Sequence, residues 1–156
     1  MKIKIFIGVI VCVTLIIVAV VAILNAPSRE ERTERHFVRD YELLLTVAQF
    51  LTDSSYEHVS IWSDDMENGE MVVFGRTGRT IIRDVAVTEA LNELRRRGYG
   101  VITKRDNSNT ITFQRWSTRL EGWGMAFSID GNEPSYRSIV MLTPLSKPDW
   151  YFYVTR

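Results

Sequence analysis

An uninterrupted apolar run occupies the beginning of the chain. From Ile5 to Leu24 there are 20 consecutive residues without a charge, most of them isoleucine or valine. A helix of that length is about 30 Å long and spans the hydrocarbon core of a bilayer. The alternative is a cleaved signal peptide, but its apolar region is shorter, about 7–15 residues, and Leu24 stands where a small residue is needed. The pattern therefore predicts an uncleaved transmembrane anchor at residues 1–26.

A helix is predicted directly after this run. Ser28 and Glu31 have the spacing of a capping box, in which each side chain accepts a hydrogen bond from the backbone amide of the other residue. Apolar residues then recur every three or four positions and form one stripe, namely Phe37, Tyr41, Leu44, Ala48 and Leu51. The stripe covers about two heptads, fewer than a coiled coil needs. We therefore expect it to pack against a sheet of the same chain.

From residue 58 onward the apolar residues mostly alternate, as they do in strands. Strands are predicted at 58–62, 70–74, 80–82, 99–104, 110–115, 125–129, 138–143 and 150–154. The acidic segment between the first two ends in Asn68 and Gly69, which predicts a hairpin with a solvated tip. A second helix is predicted after Asp84, with an inner face made of Val87, Ala90, Leu91 and Leu94.

These elements predict the α+β fold class. An N-terminal transmembrane helix is followed by a small domain, residues 27–156, in which two helices pack on an antiparallel sheet. The order of the strands along the chain favours a sheet that is mostly a meander.

Charge and composition exclude several classes of function. The 156-residue chain has 19 lysine and arginine residues against 19 aspartate and glutamate residues, so no overall positive field attracts nucleic acid. Hydrophobic residues make up 46% of the chain, which excludes a disordered or collagen-like protein. The single cysteine, Cys12, lies in the apolar run, where we expect it to pack or to contact lipid.

The residues that carry most enzyme chemistry are scarce. His36 and His58 are the two histidines, and their spacing does not place several metal ligands on one face. No serine lies in a G-x-S-x-G motif, and no cysteine follows position 12. The acidic segment starting at Asp64 has Met66 and Gly75 where an EF-hand requires oxygen ligands. We therefore predict no catalytic residue, no metal site and no cofactor, in a protein that is not an enzyme.

Aromatic residues near the carboxyl terminus are the candidates for a binding surface. Side chains alternate along a strand, so only about half of the 150–153 run lies on one face, and the other rings are exposed or covered by the first helix. Such rings anchor interfaces and stack on sugars or peptides. The predicted surface consists of Trp116, Trp123, Trp150, Tyr151 and Tyr153.

A second group of candidates is basic. Arg95, Arg96 and Arg97 are followed by Lys104 and Arg105, and together they are consistent with a basic edge for anionic lipid or a cell-wall polymer. The alternative is a solvated helix end, because basic residues are favoured where the helix dipole is negative. We favour the solvated helix end.

Short patterns in the carboxyl-terminal half carry a resemblance. They are Phe113-Gln114-Arg115-Trp116, then Phe127-Ser128-Ile129-Asp130-Gly131-Asn132-Glu133-Pro134, and finally Pro144-Leu145 with Trp150-Tyr151-Phe152-Tyr153. This half resembles uncharacterised small single-pass membrane proteins of Gram-positive bacteria, with the pattern F-Q-x-W, Y-S-I-x-G-x-x-P and P-L-x4-W-Y-Y-Y. Phe127 replaces the tyrosine of that pattern, and Asp130 replaces an asparagine. The resemblance implies an anchor with an early helix and implies no catalytic residue.

The function expected from these features is that of a membrane-anchored, non-enzymatic interaction module. Its partners are the lipid bilayer, through residues 5–24, and a protein or a component of the cell envelope. Long domains cross membranes largely regardless of their charge, so we expect a single-pass protein of the plasma membrane whose C-terminal domain lies outside. One alternative is an immunity or accessory protein of a membrane partner. The other is an envelope hydrolase whose site is assembled from residues distant in sequence.

Overall fold

A computed structural model of the chain describes residues 14–21, 25–74, 78–106, 108–118, 121–135 and 138–156. The chain divides into two compact units, Met1–Arg32 and Thr33–Arg156.

The first unit contains an exposed apolar helical segment. Residues 14–21 are helical, and the side chains of Leu15, Ile16 and Ile17 are 64%, 62% and 56% exposed. Most of the predicted span, residues 5–13 and 22–24, lies outside the described residues, as does Cys12. Among the residues that are described, no helix is both long enough and apolar enough to cross a membrane.

The predicted capping box is confirmed. The amide of Glu31 donates to the Ser28 hydroxyl over 3.1 Å, and the amide of Ser28 donates to a Glu31 carboxylate oxygen over 3.0 Å. Helix α1, Arg29–Asp53, follows this motif. Two other helices are α2, Ser63–Met66, and α3, Val85–Arg96. The Asp84 side chain caps α3 as predicted, because it accepts a hydrogen bond from the amide of Val87 over 3.0 Å.

The described residues form an eight-stranded antiparallel sheet. The strands are β1 Val59–Trp62, β2 Glu70–Val73, β3 Arg79–Ile81, β4 Val101–Lys104, β5 Thr110–Ser117, β6 Gly122–Ser128, β7 Ile139–Pro144 and β8 Trp150–Thr155. Their order across the sheet is β3-β2-β1-β4-β5-β6-β8-β7. The predicted α+β class, with helices packed on an antiparallel sheet, is confirmed.

The two faces of the sheet differ in what they contact. Ile61 of β1, Phe113 of β5 and Trp150 of β8 lie on one face, by the register of the strands between them. They share a buried core with Phe37 of α1 and Leu91 of α3. We call this side the helix-bearing face. The opposite side, which carries neither α1 nor α3, is called the open face.

Two expectations about the sheet need correction. The acidic segment before β2 is not simply a solvated hairpin tip, because it forms α2 and buries Asp65 and Met66. Arg79 donates to the Asp65 carboxylate over 2.8 Å and so compensates its charge. The sheet is mostly a meander, as predicted, but it departs from one at two points: β4 pairs with β1 instead of β3, and β8 inserts between β6 and β7 and leaves β7 at the edge.

Candidate functional site

Of the five aromatic residues predicted to form one binding surface, the four whose side chains are described do not lie together. Trp123 and Trp150 lie on the helix-bearing face, whereas Tyr151 and Tyr153 lie on the open face. Trp150 is 1% exposed and Tyr153 is 3% exposed, while Trp123 and Tyr151 are half-buried. The side chain of Trp116 lies outside the described part of the chain. Trp150 and Tyr153 are buried, so the prediction that they form part of an exposed binding surface is wrong.

Trp150 is buried because it joins α1 to the sheet. Its ring centroid lies 5.2 Å from that of Phe37 and 6.3 Å from that of Tyr41, both in α1. On the sheet side it lies 5.6 Å from Phe113 and 5.0 Å from Phe127. Ring pairs at these distances stabilise a core beyond the area they bury. Trp150 is therefore a packing residue.

The arginines at the end of α3 are paired with carboxylates. Arg95 lies 3.0 Å from Glu67, and Arg96 lies 3.6 Å from Glu93. Arg97 donates to Glu93 over 2.8 Å and also takes part in a buried network with α1. These contacts remove the basis for a basic edge, since the positive charges are compensated within the domain. The favoured alternative, a solvated helix end, holds for Arg96, whose side chain is 64% exposed, but needs correction for Arg97, whose side chain is 29% exposed.

Lys104 stabilises the end of α1. Its ammonium group donates to the backbone carbonyl oxygens of Leu51 over 2.6 Å and of Ser54 over 3.3 Å. Carbonyl groups at the end of a helix lack partners within the helix, and the helix dipole is negative there. Burial lowers the pKa of Lys104. Lys104 is thus part of the fold rather than of a surface for anionic ligands.

Lys104→Met is expected to lower the free energy of unfolding by about 1–2 kcal/mol, since it keeps the apolar stem and removes the charged donor. Urea unfolding of the purified protein measures this difference. An unchanged unfolding midpoint would show that water replaces the ammonium group at the helix end without cost.

A buried aspartate joins four elements of the domain. Asp40 of α1 is fully buried, and Arg39 donates to its two oxygens over 2.7 and 2.9 Å. Arg97, just after α3, donates to Asp40 over 2.6 Å, and the Tyr99 hydroxyl donates over 3.1 Å. The Arg115 guanidinium of β5 lies 3.5 Å from the same carboxylate. We call these five residues the Asp40 network.

The electrostatics of the Asp40 network indicate a structural role. Burial alone raises the pKa of Asp40, but hydrogen bonds from Arg39, Arg97 and Tyr99 outweigh it, and the pKa is lowered overall. Burial, followed by the Asp40 charge, raises the pKa of Tyr99. The carboxylate is therefore ionised and the phenol neutral at neutral pH, and both are enclosed by the protein. Such a pair connects elements, but it is closed to an external substrate.

Asp130 holds the turn after β6. Its carboxylate accepts hydrogen bonds from the Asn109 amide, the Ser128 hydroxyl and the Asn132 backbone amide over 2.8, 3.1 and 3.0 Å. Hydrogen bonds from Asn132 and then Asn109 lower the pKa of Asp130.

In the ranges that the structure describes, no three histidine, cysteine, aspartate or glutamate side chains are grouped closely enough to hold a metal ion.

A groove lined in part by α1 and α3 is the candidate binding site. It consists of two openings of about 1020 and 450 Å³, which share Thr46 of α1 and Ala86 of α3 in their walls. The larger opening is also lined by residues 54–56, by Met71 of β2 and by residues 79–83, which include β3. We call the two openings together the α1–α3 groove. Its floor consists of Leu43, Thr46 and Phe50, all half-buried, on the α1 side. Ala86 and Ala90 complete it on the α3 side. The small alanine side chains leave room for a ligand between the two helices.

The rim of the groove is predominantly acidic. The carboxylates are those of Glu42, Asp53, Asp84, Glu89 and Glu93, and the guanidinium groups are those of Arg79, Arg83 and Arg96. Several of these groups are engaged elsewhere, since Arg79 binds Asp65 and Glu70, Arg96 pairs with Glu93, and Asp84 caps α3.

Three rim carboxylates remain available. Glu42, Asp53 and Glu89 are exposed and have no side-chain hydrogen bond or ion pair with another described residue. Among the described residues, Arg83 is the one rim arginine that is likewise exposed and has no side-chain hydrogen bond or ion pair. An apolar floor surrounded by a polar rim is an arrangement that binds protein and peptide ligands. Here the available charges of the rim are mainly negative.

Comparisons with protein families, with curated proteins and with solved structures find no match to this chain.

Proposed function

We propose that the protein is a membrane-tethered, non-enzymatic interaction module on the outer face of a bacterial plasma membrane. The observation that carries the proposal is the charge-free run from Ile5 to Leu24. A run of this length and composition is stable in a bilayer and unfavourable in water. The exposed apolar side chains of residues 14–21 support the same interpretation.

The C-terminal unit supports a binding role for the tethered domain. Thr33–Arg156 forms one compact unit, and the α1–α3 groove offers an apolar floor with available charged groups around it. Asp40 and Tyr99 of the Asp40 network are buried in the domain and line neither opening of the groove. These features favour recognition over hydrolysis as the activity of the module.

Membrane extraction of the full chain tests the tether. We expect the wild-type protein to stay in the membrane pellet after a carbonate wash and to be released by detergent. The double variant Ile16→Lys and Ile17→Lys should shift to the supernatant, because a charge at the centre of a span costs about 2.5–3.5 kcal/mol.

The matched control is the double variant Val38→Lys and Val85→Lys. These valines are 62% and 70% exposed, like Ile16 and Ile17, but they lie on α1 and α3. The control should stay in the pellet. A mature chain that begins near Ala26 and is recovered from the medium would contradict the tether.

Protease treatment of intact cells tests the orientation. A domain outside the membrane is digested in intact cells, whereas a domain inside is digested only after lysis. Protection before lysis would overturn the proposed orientation and leave the tether in place.

A further inference from the structure

We propose that the α1–α3 groove binds a basic, amphipathic helix of a partner protein. The inference rests on the proposed binding function, and it does not depend on the membrane tether. Its first support is shape. Leu43, Thr46 and Phe50 are spaced by three and four residues along α1, and Ala86 and Ala90 are spaced by four along α3. Residues at these spacings share a helix face, so the α1 wall runs along both openings. Opposite it, α3 lines the smaller opening, and residues 79–84 with the start of α3 line the larger one.

The shape of the groove fits a helix of the partner. From Glu42 to Asp53 the α1 wall is about 18 Å long, the length of about 12 helical residues. A helix that inserts its apolar face between two helices presents side chains at positions i, i+3, i+4 and i+7. Leu43 and Phe50 of α1 and the exposed Ile81 of β3 are large apolar side chains available to meet them, and the alanines of α3 permit close approach.

The second support is charge. The available carboxylates of Glu42 and Asp53 lie along the α1 wall, and that of Glu89 lies along the α3 wall. The apolar floor is therefore flanked by three available carboxylates against the one available guanidinium, that of Arg83. A partner helix with lysine or arginine beside its apolar stripe pairs with these groups, whereas an acidic helix is repelled.

The experiment uses the full chain in phosphatidylcholine nanodiscs, a membrane without net charge. A phage library of helical peptides is selected against the wild type and, in parallel, against Ala86→Trp. Ala86 is exposed, so the larger side chain fills the groove without entering the core. We expect peptides selected on the wild type to carry a net positive charge and an apolar stripe, and to be depleted on Ala86→Trp.

Charge variants then test the chemistry with one synthetic peptide from this selection. Glu42→Lys with Glu89→Lys should weaken its affinity at least about tenfold, since two favourable pairs become repulsive. The matched control, Asp64→Lys with Glu133→Lys, changes the net charge equally at exposed positions away from the groove and should stay within about twofold.

The outcomes separate the groove from the proposed function. Selected peptides that are acidic or uncharged, or that bind Ala86→Trp equally well, overturn the groove proposal. If such peptides lose affinity on Tyr151→Ala instead, the binding function stands and its site is the open face. A selection that enriches no peptide overturns the groove proposal as well, while the carbonate wash decides the tether independently.

Discussion

Replacing Asp40 with alanine is expected to lower the free energy of unfolding by about 3–5 kcal/mol, because loss of one member of a buried ion pair leaves the opposite charges uncompensated. Arg97 and Arg115 are 29% and 12% exposed, so water does not replace the lost carboxylate well. The same substitution removes the carboxylate acceptor of the Tyr99 hydroxyl and leaves it the weaker acceptor Met125 Sδ, 3.4 Å away. The Asp40 network connects α1, the end of α3, the start of β4 and β5, so its loss weakens the whole domain.

Urea unfolding measures this effect against a control in the same helix. Asp53→Ala removes an exposed carboxylate that has no side-chain partner among the described residues, and it should change stability by no more than about 0.5 kcal/mol. Equal effects of the two substitutions would show that the network contributes nothing beyond an ordinary surface charge.

Acid weakens the same network. The folded pKa of Asp40 lies below its ordinary value of 3.8, because the hydrogen bonds to the carboxylate outweigh the effect of burial. Its stabilisation is therefore fully present above the unfolded pKa and is lost as the pH falls through the folded pKa. The difference in unfolding free energy between wild type and Asp40→Ala should be constant near neutral pH and shrink below about pH 4. A difference that grows on acidification would contradict this sign.

Local patterns predict the helices of this fold better than the order of its strands. The capping box at Ser28 and the Asp84 cap depend on neighbouring residues, and both are confirmed. The last hairpin consists of β7 and β8, and the sequence of each of these strands is suited to pair with β6. β8 takes the inner place because Phe152, Tyr153 and Val154 are buried there, whereas β7 exposes Val140 and ends in Pro144. A proline lacks the amide that an inner strand uses for pairing, so it favours an edge.

The candidate site was less predictable because it depends on which elements become neighbours. Alternation correctly indicated that the 150–153 run divides between two faces, but it did not show that α1 covers Trp150. The groove arises from a second stripe on α1, Leu43 with Phe50, and from small residues on α3. These become a site only when the two helices lie side by side.

The Asp40 network did leave a signal in the sequence. Asp40 lies three residues after Phe37 and four before Leu44, which is a position of the buried stripe. A carboxylate at such a position has to be paired, because an isolated buried charge is very unfavourable. Arg39, the preceding residue, is a local partner, but Arg97 and Tyr99 lie 57 and 59 residues away, so no local pattern identifies these two.

Gly124→Ala is expected to destabilise the domain by about 3 kcal/mol, at the upper end of the usual cost of overpacking. A Cβ atom at Gly124 would overlap the carbonyl oxygen of Phe113 and lie 2.9 Å from the Cα atom of Gln114. Both atoms belong to the backbone of β5, next to an irregularity in its pairing with β6. Because backbone cannot rotate away as a side chain does, β5 has to shift against both of its neighbouring strands.

Gly100→Ala is the matched control, because its Cβ atom would also face Gln114. That atom would lie 3.9 Å from the Gln114 carbonyl oxygen, an ordinary contact, and we expect a change within about 0.5 kcal/mol. Thermal and urea unfolding of both variants measure the contrast. If Gly124→Ala were as stable as Gly100→Ala, the two strands would not approach as closely at Gly124 as the register requires. The missing side chain at this position is what permits β6 to pair with β5 without displacing it.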